Sequence, residues 1–196
     1  MDALQTIALS AGLAWASGLR LYLVVFLAGV LGHFGYLQLP SPLTVLQHSL
    51  VIGVAGLMAL AELVADKVPV FDSLWDSFQT LIRIPAGALL AAFALGEVDP
   101  AWSVAAGLIG GTITAGTHFA KAGSRLAINS SPEPFSNWLA SFSEDGLVVG
   151  GLWAMLAAPW LFLSVLAIFL ILAGYLLVRF WSLLSRLGRP GRRRSG

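Results

Sequence analysis

Residues 161–178 read LFLSVLAIFLILAGYLLV, a run of 18 without one charged side chain. A hydrocarbon core about 30 Å thick is crossed by roughly 20 such residues in a helix. The rest of the 196-residue chain has the same character. Hydrophobic residues make up 58% of it and charged residues 11%, against about 45–50% and about 25% in a soluble domain. The mean hydropathy is +0.85. The expected fold is all-α, a polytopic transmembrane helix bundle.

Outward from that run, proline-bearing breaks set the spans. Six fit, at about 4–31, 43–65, 72–95, 101–126, 135–158 and 160–181. Between them lie Pro40 and Pro42, Asp66-Lys67-Val68-Pro69, Glu97-Val98-Asp99-Pro100, residues 129–134, and Pro159; proline lacks the N–H that a helix interior needs. The first span is interrupted at Ser17-Gly18-Leu19-Arg20, which leaves Arg20 at depth, either at a helix break or in a loop between two shorter pieces. The chain divides into one transmembrane domain, 1–187, and a basic tail, 188–196.

Charge sets the orientation. Six of the eleven Lys and Arg residues lie in the last 18 positions: Arg179, Arg186, Arg189, Arg192, Arg193 and Arg194. Basic residues stay on the cytoplasmic side, so the tail is expected there, and six spans bring the N-terminus to the same side. Lys67, Arg83, Lys121 and Arg125 then fall toward the cytoplasm, while the loops at 32–42 and 96–100 carry no Lys or Arg. The expected partners are the bilayer and, at the tail, anionic lipid headgroups. Nucleic acid is not expected, because no aromatic platform or folded reader accompanies the tail. A homo-oligomer stays open. The first residues lack a basic stretch and a cleavage site, so no removable signal peptide is expected. With no cysteine, disulfides, thiolate zinc sites and cysteine nucleophiles are excluded.

Polar residues recur at helical spacing. Asp72, Asp76, Gln79 and Arg83 are spaced 4, 3 and 4, as are Thr114, His118, Lys121 and Arg125. Asn137, Ser141 and Glu144 follow with 4 and 3, and Glu62 and Asp66 form an i, i+4 pair. Such spacing puts each set on one helix face. A central charge facing lipid costs roughly 2.5–3.5 kcal/mol even on the lenient insertion scale, so the stripes are expected to face one another. The acid-rich second and third helices would then neutralise the base-rich fourth. The apolar parts of the third and fifth helices, 84–95 and 146–158, are only about 18–20 Å long at 1.5 Å per residue. Their polar beginnings are expected to be amphipathic or half-inserted stretches, either flat in the interface or lining a wet cavity.

Enzyme motifs are missing. No GxSxG elbow, P-loop or HExxH occurs. One histidine among carboxylates makes a poor zinc site. Asp72, Asp76, Glu144 and Asp145 offer oxygens to a hard cation, but Lys121 and Arg125 oppose it, so neither a metal nor a cofactor is expected.

At these residues the chain resembles a bacterial integral-membrane family known as a domain of unknown function, the 4126 type. The resemblance rests on Ser17-Gly18-Leu19-Arg20, on Glu62-x3-Asp66-Lys67-x-Pro69-x2-Asp72-x2-Trp75-Asp76, and on His118-x2-Lys121-Ala122-x-Ser124-Arg125. Its last part is Asn129-x-Ser131-Pro132-Glu133-Pro134-x-Ser136-Asn137-x3-Ser141-x2-Glu144-Asp145. It covers about 4–158, leaving the sixth span outside. It implies a bacterial cytoplasmic (inner) membrane and no particular activity.

The leading functional expectation is a small transporter or channel-like carrier with a cytoplasm-facing polar cavity for a small ion or anionic solute. Arg20, Arg83, His118, Lys121, Arg125 and Asn129 are the candidates to bind it. Glu62, Asp66, Asp72, Asp76, Asn137, Glu144 and Asp145 are the candidates to pair with those cations or carry protons, and His118 is the pH-sensitive candidate. The alternatives are a non-catalytic scaffold or assembly partner, and a binder of, or enzyme acting on, lipid phosphate headgroups.

Overall fold

The computed structural model describes residues 1–67, 69–129 and 135–187, with the side chains at 69–73, 129, 180, 181 and 183–187 outside the description. The tail 188–196 also lies outside the described residues. Every regular element among the described residues is a helix. They are α1 (Ala3–His33), a 3-10 helix (Ser41–Gln47), α2 (Ser49–Ala65), α3 (Pro69–Ala94), α4 (Pro100–Asn129), α5 (Phe135–Ala157) and α6 (Pro159–Leu187).

The ends of these helices follow from local chemistry. Asp2 accepts from Gln5 N at 2.7 Å and Gln5 returns the bond, a capping box that starts α1. His48 Nδ1 accepts from Leu50 N at 3.2 Å and starts α2. Asp99 accepts from Ala101 N at 2.8 Å just before α4. Pro100 and Pro159 stand first in α4 and α6, where a missing N–H costs nothing. The second expected span differs from its reading. The 3-10 helix and α2 meet at His48 with a bend of 69°, because the His48 backbone is extended and its ring caps a new helix. Pro85, a candidate kink, lies inside a helix that continues to Ala94.

α1 is the central helix. It touches every other element of the described bundle, and 17 of its residues are buried. Its contact with α3 and α4 depends on small side chains. A Cβ added at Gly18 would lie 2.6 Å from the Thr114 carbonyl oxygen and 2.7 Å from Thr117 Cβ, and one at Gly87 would strike the Thr114 side chain. Ser10 donates to Ala91 O at 2.9 Å and Thr114 donates to Ala14 O at 2.8 Å. Close backbone approach and interhelical hydroxyl bonds are how helices associate where lipid removes the hydrophobic drive between them. Trp15 packs edge-on against Phe162 at 5.9 Å, which ties α6 to α1.

The burial pattern is that of a membrane protein. Leu57, Leu60, Val64, Phe78, Leu81, Leu108, Trp153 and most of the described side chains of α6 are exposed, while Arg20, Glu62, Asp66, Arg83, Lys121 and Arg125 are buried. Apolar outside and charged inside is stable only where the surrounding solvent is hydrocarbon. Ala3–His33, Leu74–Ala94 and Pro159–Arg179 are each long and apolar enough to cross a membrane, and the bent pair ending at Ala65 makes a fourth. The polar beginning of α3 belongs to such a span, with Asp76, Gln79 and Arg83 turned into the bundle and Leu74, Phe78 and Leu81 turned out.

Gly18→Leu is expected to drive α1 off α4 and cost about 1–3 kcal/mol or more, as overpacking of a tight contact does. A lower unfolding temperature of the purified protein in detergent checks this, with Gly53→Ala as the control, since a Cβ there meets nothing within 4 Å.

Candidate functional site

The site begins at a break in α1. Arg20 has φ −147° and ψ 77°, outside the helical region, with helix on both sides. The kink turns the guanidinium inward and leaves the Leu19 carbonyl available, and Lys121 Nζ donates to it at 3.2 Å. Of the two readings of Arg20, the helix break is the one observed.

Around this break the polar faces of α1 to α5 meet. Asp66, the C-cap of α2, lies 2.7 Å from Arg20, 3.1 Å from Lys121 and 3.4 Å from Arg125. Glu144 of α5 lies 2.8 Å from Arg125 Nε, 3.4 Å from Lys121 and 3.6 Å from Arg20. Asp145 pairs with Arg20 Nε at 2.9 Å, and Ser141 accepts from Arg20 Nη2 at 2.8 Å. Arg125 also donates to the Asn137 carbonyl at 3.1 Å. A second lobe centres on Arg83, which pairs with Glu62 and, at 2.9 Å, with Asp76. Lys121 links the lobes through Asp76 at 3.5 Å.

The hydrogen bonds assign the state of His118. Arg83 Nη1 donates to His118 Nδ1 at 3.1 Å, so that nitrogen carries the lone pair. The proton sits on Nε2, 2.6 Å from Thr80 Oγ1, and the Thr80 hydroxyl donates onward to Asp76 O at 2.9 Å. The ring is neutral in this arrangement, fixed by its partners.

The cluster gathers Arg20, Arg83, His118, Lys121, Arg125, Glu62, Asp66, Asp76, Asn137, Glu144 and Asp145. The side chains of Asp72 and Asn129, both candidates, lie outside the described residues. Each cation is held by carboxylates, as expected of the acids. One expectation changes. The fourth helix is neutralised from three sides, by α2, α3 and α5, and not by the second and third helices alone. Among the described residues, no group of three or more His, Cys, Asp or Glu side chains is placed to hold a metal ion.

Thr80 and Tyr22 were missed. Thr80 lies four residues after Asp76 and three before Arg83, so its spacing carried the signal. Tyr22, whose hydroxyl accepts from Gln79 Nε2 at 3.2 Å, had none, since the break at Arg20 resets the phase of α1.

The charges do not balance. Arg20, Arg83, Lys121 and Arg125 give +4; Glu62, Asp66, Asp76, Glu144 and Asp145 give −5 when all are ionised. One carboxylate in this described set exceeds the cations. Glu62 and Asp145 are the least compensated, each with one cation in ion-pair range among the described residues, whereas Asp66 and Glu144 have three. Glu62 Oε2, Asp66 Oδ1 and Asp76 Oδ2 are buried without a hydrogen-bond partner among the described residues.

The family model described as Domain of unknown function (DUF4126) matches residues 7–179. The chain belongs to this family. The match runs into α6, further than the resemblance that stopped near 158, and its range takes in every residue of the cluster. No curated protein and no solved structure matches the chain.

Arg83→Gln is expected to destabilise the fold by about 3–5 kcal/mol, because Glu62 is left as a buried charge without its cation. Glu62→Gln alone costs less, since Arg83 keeps Asp76. The double variant recovers most of the loss. Unfolding of the four proteins in one detergent gives the coupling; purely additive effects would contradict the pairing.

Proposed function

We propose that this chain is a small carrier of the bacterial cytoplasmic membrane whose buried cluster takes up and releases a proton as its solute moves. The observation that carries the reading is the set of five carboxylates against four cations in ion-pair range within the bundle, with Asp145, 27% exposed, at its open edge. A purely structural network has every reason to be neutral, because an unmatched buried charge is strongly unfavourable. Five carboxylates against four cations become neutral when one of them holds a proton or a small cation. The unpartnered oxygens of Glu62, Asp66 and Asp76 support the same view.

This reading shifts the solute from anion to cation. A free anion would have to displace Asp66 or Glu144 from Lys121 and Arg125. A proton or cation needs only to join the carboxylate in excess. The break at Arg20 supports movement, since the two halves of α1 are joined there by one non-helical residue.

A non-catalytic scaffold is the second reading, favoured by the pairing of every cation in the described cluster. The two differ in what neutral substitutions do. In vesicles containing the purified protein and a pH-sensitive dye, the carrier shows proton movement coupled to a solute from a panel of small cations and anions. Glu62→Gln reduces it at least about tenfold at normal protein levels. Background movement of protons and of every solute in the panel sinks the carrier.

The C-terminus is proposed to be cytoplasmic; the expectation of a cytoplasmic N-terminus is not kept, because α1 folds back at Arg20 and brings Met1 and Tyr36 to one pocket at the other end of the bundle. A fusion of a periplasm-active phosphatase to the C-terminus is expected to be inactive and one in the loop at 34–39 active, with the N-terminus reporting the same side as that loop.

A further inference from the structure

We infer that the lateral groove between α1, α2 and α5 is a binding site for a hydrophobic organic cation. The inference rests on the carrier reading and names the class of its solute. The groove has a volume of about 550 Å3, within the roughly 300–1,000 Å3 of small-molecule sites. Its walls are apolar: Leu23 and Phe26 of α1, Leu57 and Leu60 of α2, and Val149 of α5, with Gly53 leaving the side of α2 bare. Leu57 and Leu60 are 69% and 60% exposed, so the groove opens sideways toward the lipid.

Its polar end is formed by Arg20 and Asp145. The two differ in access. The Arg20 side chain is 2% exposed and Asp145 is 27% exposed, so a ligand in the groove meets the carboxylate and not the guanidinium. Behind Asp145, Arg20 is shared with Asp66 and Glu144, which leaves Asp145 the weakly compensated acid of its lobe. An apolar body with one positive charge fits both parts of this surface. It fills the groove with hydrocarbon and supplies the charge that the described cluster lacks. A neutral lipid tail satisfies only the walls, and an anionic headgroup would sit against a carboxylate.

The other features carry less. The apolar groove of about 380 Å3 between α1, α5 and α6 is lined by Trp15, Phe162 and their neighbours and has no charged wall. The small pocket at the far end of the bundle, near Met1 and Tyr36, has no charged side chain.

Tetraphenylphosphonium is the probe, with the full-length protein in detergent and equilibrium dialysis as the measurement. Saturable binding at one site per chain is expected. Asp145→Asn should weaken it at least about tenfold, which is about 1.4 kcal/mol. Gly53→Leu should weaken it as much by filling the groove. That variant guards against misfolding of the first, since a Cβ at Gly53 meets no atom within 4 Å. Triphenylphosphine oxide, similar in shape and neutral, should bind at least about tenfold more weakly. No saturable binding, equal binding of the neutral compound, or binding indifferent to both substitutions overturns the inference. The readout is binding alone, so its failure with proton-coupled flux intact removes the organic cation and keeps the carrier.

Discussion

Charges that cannot face hydrocarbon must face each other, and this constraint organises the molecule. Four cations and five carboxylates from five helices meet inside a bundle whose outer surface is leucine, valine, phenylalanine and tryptophan. No single helix could carry its charged stripe through lipid alone. α4 brings His118, Lys121 and Arg125 and almost no compensating acid, so it needs Asp66, Asp76 and Glu144 from three neighbours. The pairs therefore act as registry devices. They fix how far each helix stands along its neighbour, since a shift of one turn would strand a charge.

The cluster and the small-residue seam divide the work. Along α1, α3 and α4, Gly18, Gly87 and the Thr114 hydroxyl bring backbones into contact and leave no room between them. α5 is held differently. Its inner face is anchored to the cations through Asn137, Ser141, Glu144 and Asp145, and apolar grooves flank it on both sides. A helix fastened by ion pairs and bordered by open grooves is the element best able to shift when those ion pairs change. The break at Arg20 lies at that anchoring point.

Much of the site was legible in spacing. The 4, 3, 4 recurrence in α3 and α4 and the 4, 3 recurrence in α5 named the residues that meet, because helical geometry converts spacing into a face and lipid forbids that face from pointing out. Thr80 lies in the same stripe, but a hydroxyl carries no charge that must be kept from lipid, so its spacing alone does not single it out. Arg20 was visible as an oddity. Its partners were not, because Asp66, Glu144 and Asp145 lie 46, 124 and 125 positions away. The pairs themselves were not legible for a physical reason: sequence counts charges but does not say which have found each other.

By itself the sequence determined the solvent, the helices, their approximate ends and the inward polar faces. Those follow from local rules: hydrophobic length, proline stops and helical period. Tertiary structure decided the bend at His48, the single-residue break at Arg20, the order of the pairs and the charge-unbalanced cluster that opens at Asp145. These depend on which helices are neighbours and at what depth, a property of packing between segments far apart in the chain. The uncharged run at 161–178 that announces the membrane is itself peripheral: α6 shields one side of α1, while the chemistry sits in the helices that looked least like spans.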